Sequence, residues 1–137
     1  MVFGNSQGPA PATNMAFPDV CMTPGVAAGA PAPLPYPNIS VSSTGIPTQF
    51  TTLLTAMPAH NMTTQTAMSN GDEAGLNFNL ISGMFMGPTR HLMGSVTTFL
   101  GGLPATRMLS PSGQNGMSPG AFGTCISPSQ VTTMFLS

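Results

Sequence analysis

Phe50-Thr51-Thr52-Leu53-Leu54, Val96-Thr97-Thr98-Phe99-Leu100 and Val131-Thr132-Thr133-Met134-Phe135 repeat one pattern, apolar-Thr-Thr-apolar-apolar. Thr, Val and Phe suit a pleated, half-buried surface, so each copy is expected as a strand. The first two copies lead into matching segments expected as turns, Met57-Pro58-Ala59-His60-Asn61-Met62 and Leu103-Pro104-Ala105-Thr106-Arg107-Met108. Each then reaches an Asn-Gly pair, Asn70-Gly71 or Asn115-Gly116, a dipeptide suited to tight turns. The third copy runs out at Ser137 and needs no turn. Self-similarity of this kind marks a repeat architecture. Three strand-turn units predict an all-β fold with pseudo-threefold symmetry; chance likeness among short Thr-rich strands is the competing reading.

Composition supports the all-β class. Gly 16 and Pro 15 in 137 residues disfavour helix interiors, Gly for its entropy and Pro for its missing donor. Helix is expected to be minimal, at most one short turn around Gly71-Asp72-Glu73-Ala74 that Gly75 would end. Residues 1–16 read as a flexible arm and 17–137 as one domain. Four prolines between Pro31 and Pro37 call for an extended or edge segment, because they cannot donate to a ladder.

Charge narrows the function. Only 4% of residues are charged, against about 25% in ordinary soluble domains. A chain this poor in charge is expected to hide much of its surface in an assembly. Two basic residues cannot neutralise a run of phosphates, which excludes nucleic-acid binding. No segment reaches the roughly 18 apolar residues of a membrane span, and the N-terminus lacks the basic start and apolar stretch of a signal peptide.

The residues able to carry chemistry are few. Cys21, His60, His91 and Cys125 match the tetrahedral N/S set that zinc prefers. They fall about one per repeat, the spacing expected if each unit returns to a common apex. A Cys21–Cys125 disulfide and buried free thiols are the other readings of the cysteines. Asp72 and Glu73 are adjacent carboxylates on a Gly-flanked turn and should point apart, unlike a glycosidase pair. No nucleophile elbow, phosphate loop or dinucleotide fingerprint occurs.

Pro18-Asp19-Val20-Cys21-x-Thr23-Pro24, Pro33-Leu34-Pro35-Tyr36-Pro37-Asn38-Ile39 and Gly71-Asp72-Glu73-Ala74-Gly75 resemble motifs of the PAAR-like family of type VI secretion and related contractile injection systems. Pro58-Ala59-His60 and Pro104-Ala105-Thr106-Arg107 resemble degenerate forms of that family's Pro-Ala-Ala-Arg turn. The resemblance runs from about Phe17 to Ser137. It implies a short pointed β cone capping a trimeric VgrG-like spike protein, with one structural Zn²⁺ near the vertex. It implies Cys21, His91 and Cys125 as metal ligands, with His60 as the fourth. It also implies assembly in the bacterial cytoplasm followed by ejection, and non-covalent effector cargo on a loop such as Ser110 to Phe122. A small zinc-dependent hydrolase and a self-assembling appendage protein are the alternatives.

Overall fold

The computed structural model describes residues 2–27, 29–46 and 49–135. Strands are numbered in chain order. The main sheet has seven strands in the order β3 (Ala30–Val41), β2 (Thr13–Ala27), β12 (Ala121–Ser127), β11 (Pro111–Gln114), β8 (Thr89–His91), β7 (Gln65–Thr66) and β4 (Gly45–Ile46). All its pairings are antiparallel. The Pro-rich segment is the edge strand β3, as its missing donors require. Its alternate prolines face solvent while Asn38 and Ser40 point inward. One 3-10 turn, Ser42–Thr44, is the only helical element among the described residues, and 71–75 forms turns instead.

Three two-stranded sheets carry the repeats. β5 (Gln49–Leu54) pairs with β6 (Met57–Ala59), and β9 (Phe99–Leu100) with β10 (Leu103–Pro104). β13 (Met134–Phe135) pairs with β1 (Val2–Phe3). The registers are equivalent: Leu54 faces Met57, Leu100 faces Leu103, and Phe135 faces Val2. The third copy therefore has a partner strand, and it is the N-terminus. This corrects two expectations. Residues 2–16 are built into the fold, with Asn5, Ser6, Ala12 and Asn14 fully buried. The segments after the first two repeats are strands, and the turns are the two-residue links Thr55-Ala56 and Gly101-Gly102. Both residues of each link have positive φ (55° and 63°, 63° and 81°), the twist that tight hairpins need.

The second strands close a ring. Bridges join Ser6 to Ala59, Asn61 to Ala105, and Arg107 to Gly4. Inside the ring the His60 N–H donates to Asn5 O (3.0 Å), the Thr106 N–H to His60 O (3.3 Å), and the Asn5 N–H to Thr106 O (2.9 Å). Asn5, His60 and Thr106 are thus related positions about one pseudo-threefold axis.

Burial follows the same symmetry. The fifth residue of each repeat is inside, Leu54 at 6%, Leu100 at 9% and Phe135 at 8% exposure, and with Ala59 and Ala105 these make the apolar core. The first residue of each is outside, Phe50 at 76%, Val96 at 74% and Val131 at 70%. Leu53, Phe99 and Met134 in the fourth position are exposed as well. In two units the residue just before the repeat fixes the Thr-Thr step. The Thr97 and Thr98 N–H groups donate to Ser95 Oγ, and those of Thr132 and Thr133 donate to Gln130 Oε1.

Candidate functional site

The inner face of the main sheet is polar. On β2, Asp19 and Cys21 lie two residues apart and so share a face, both fully buried. Asp72 reaches them from the 70–75 turn, which is tied to β3 by paired backbone hydrogen bonds between Asn70 and Ile39 (2.7 Å each way). Gly71 sits against the Pro37 carbonyl with φ of 129°, a position where any Cβ would collide with backbone.

One donor atom each from Asp19, Cys21 and Asp72 lies within 4.8 Å of the others, and this buried group has the make-up to hold a metal ion. Amides surround it. Asn38 Nδ2 donates to Asp19 Oδ2 (2.5 Å) and Asn79 Nδ2 to Asp19 Oδ1 (2.5 Å). Asn115 Nδ2 donates to Asp19 Oδ2 (3.0 Å) and to Asp72 Oδ2 (2.8 Å). Cys21 Sγ lies 3.4 Å from Asp19 Oδ1 and 3.7 Å from Asp72 Oδ2. The Met86 N–H donates to both Asp72 oxygens. Burial, reinforced by the two carboxylates, pushes the Cys21 thiol up to about 12. Burial and the charge of Asp19 raise Asp72 above the usual carboxylate range, against the pull of the Met86 N–H.

The four ligands expected from sequence do not gather in one coordination sphere; among the described residues the only group of three or more ligand-type side chains is Asp19, Cys21 and Asp72. His60 and His91 are near enough to interact, both buried, with His60 Nε2 and His91 Nδ1 lacking partners. Burial holds each imidazole down at about 4, so both are neutral at pH 7; the charge of His91 adds to the effect on His60. Cys125 Sγ faces Asn5 Oδ1 (3.6 Å) and the Ser127 carbonyl (3.4 Å), and burial pushes it up to about 11. Both cysteines are free thiols, so the Cys21–Cys125 disulfide does not form.

Sequence reasoning passed over Asp19 and Asp72 as ligands because ligand counting began from Cys and His. A signal was present: the chain has only three acidic residues, and all three lie in the quoted motifs. Asp72 and Glu73 do point apart, one buried and the other exposed.

The chain is thus all-β, with three equivalent strand pairs closed into a ring around a small apolar core, and with a buried Asp-Cys-Asp group on the main sheet that could hold a metal ion. The chain belongs to the toxin PAAR-like domain family, which it matches over residues 12–121. No curated protein and no solved structure matches it. Among the described residues no helix is long and apolar enough to cross a membrane.

Proposed function

We propose that this protein is a non-enzymatic tip that caps the trimeric VgrG-like spike of a type VI secretion-like contractile injection system. The observation that carries the reading is the ring of three equivalent units. Phe50, Val96 and Val131, with Leu53, Phe99 and Met134, present apolar side chains at matching positions around one pseudo-threefold axis. A single chain can then meet three copies of a partner with similar contacts. Burying six such side chains is worth about 10–15 kcal/mol gross, the same order as the ~4–15 kcal/mol lost on association. Covering that surface also accounts for a chain with only 4% charged residues.

A tip must keep its shape under load, and an apolar core of two Leu, two Ala and one Phe is slight. One structural zinc linking distant segments supplies the stiffness, since metal binding adds directly to folding free energy. Cargo, where carried, is held non-covalently. The Ser110–Phe122 segment is a β11–β12 hairpin whose exposed residues are Met117, Ser118 and Phe122. Assembly precedes ejection from the cell.

The test is co-purification with a trimeric spike protein, with the complex mass read by light scattering. One chain per trimer, lost on combined Phe50→Ser, Val96→Ser and Val131→Ser substitution, is the expected result. Absence of binding would remove the tip reading. Self-association of the isolated chain would favour an appendage protein instead.

A further inference from the structure

We infer that the structural cation is held by Asp19, Cys21 and Asp72, with the amide oxygen of Asn38 as a fourth donor, and not by the histidines. The inference deepens the metal-stiffened tip proposed above and rests on it for the metal's role.

Charge is the first argument. Two carboxylates and a thiol are fully buried in one place. The chain's only basic side chains besides His are Arg90 and Arg107, and the partners of Asp19 and Asp72 are amides, a thiol and backbone N–H groups. Buried charges normally persist only when paired or bound to metal.

The amides give the second, independent argument. Asn79 Oδ1 accepts the Ile81 and Ser82 N–H groups, and Asn115 Oδ1 accepts the Gly87 N–H, so those two amides are oriented by backbone and can only donate to the carboxylates. Asn115 Nδ2 has two protons yet faces Asp19 Oδ1 (3.3 Å), Asp19 Oδ2 (3.0 Å), Asp72 Oδ2 (2.8 Å) and Cys21 Sγ (3.9 Å). One amide nitrogen is thus shared among three carboxylate oxygens and a sulfur. Asn38 differs: its Nδ2 donates to Asp19 Oδ2, but its fully buried Oδ1 has no partner, so that one hydrogen bond alone sets which way the amide faces. Turned about its Cβ–Cγ bond it delivers an oxygen to the space beside Asp19 Oδ2.

The resulting set is one sulfur and three oxygens. A thiolate in a set of four donors selects a borderline-soft ion such as Zn²⁺ over Ca²⁺ or Mg²⁺, which take six or more oxygens. Cys21 would release its proton on binding. The ion would tie β2 and β3 to the 70–75 turn, adding to the hydrogen bonds and packing that join the three segments.

The test is elemental analysis of the full chain, purified without chelator and again after incubation with zinc, beside Cys21→Ser, Asp72→Asn, His60→Ala and His91→Ala. Circular dichroism reports whether each variant folds; Asp72→Asn keeps the shape of the side chain. About one zinc per chain is expected, with affinity down at least about tenfold in Cys21→Ser and Asp72→Asn and unchanged in the two histidine variants. Cobalt(II) should give a thiolate charge-transfer band in the native protein that Cys21→Ser lacks. No zinc in the native chain under either condition overturns the inference, as does zinc kept in Asp72→Asn and lost in His91→Ala. Spike binding by the metal-free chain separates the two failures, because a tip that docks without zinc loses only this site.

Discussion

Phe135 fills the volume that a Cβ on Gly4 would need: such an atom would sit 2.6 Å from Phe135 Cε2 and 3.1 Å from Leu54 Cδ1. The other two units pair a smaller core residue with Ala, Leu54 with Ala59 and Leu100 with Ala105. The split unit exchanges volume between its two strands.

Gly4→Ala alone should destabilise by about 1–3 kcal/mol through overpacking. Phe135→Leu alone should cost about 1–2 kcal/mol through the space it leaves. The double variant recreates the composition of the other units and should recover most of both losses. A urea-denaturation double-mutant cycle would show coupling of about 1–3 kcal/mol; strict additivity would refute the shared-volume account.

The hairpin links make a matched pair. Ala56 holds φ of 63° where its counterpart Gly102 holds 81° in open space. Ala56→Gly should stabilise by about 1 kcal/mol, since the left-handed region costs an L-residue roughly that much. Gly102→Ala should lose a similar amount. Thermal melts with the same sign for both would contradict the turn assignment.

Acid should unfold the protein through its histidines. His60 and His91 are near enough to interact, and both are held down by burial at about 4 against 6.5 when unfolded. The unfolded chain therefore binds more protons between those values. Their stabilising contribution is complete above about pH 6.5 and falls away as pH drops through about 4, by on the order of a few kcal/mol for each imidazole. Chemical denaturation at a series of pH values should show that slope, reduced in His91→Gln. A flat profile would mean the imidazoles are more solvated than the fold indicates.

The thiols should be silent until the fold opens. Cys21 and Cys125 are buried, free and pushed up to about 12 and 11, so almost no thiolate exists at pH 8. A colorimetric thiol reagent should label neither in the native chain and both in denaturant without reductant. Failure to label in denaturant would indicate a disulfide.

Much of this was legible beforehand for a local reason. The five-residue repeat carries its own burial pattern, so Phe50, Val96 and Val131 could be read as equivalent from the chain alone. The correspondence of His60 with Thr106 was equally visible, and the ring confirms it. The place of Asn5 beside them was not, because no local periodicity links Val2 with Phe135. The tight turns were also misplaced by a few residues, since Thr55-Ala56 carries no glycine to announce positive φ.

The sequence by itself determined the β class, the threefold repetition, the proline-guarded edge and the family. Each of these rests on properties that residues express within a few positions of one another. Tertiary structure alone decided that the N-terminal strand completes the third unit. It also gathered Asp19, Cys21 and Asp72 while leaving His60, His91 and Cys125 elsewhere. Those outcomes depend on which segments the sheet brings together across 50 residues or more, and the free energy of such contacts lies in packing and desolvation that no short window of sequence contains.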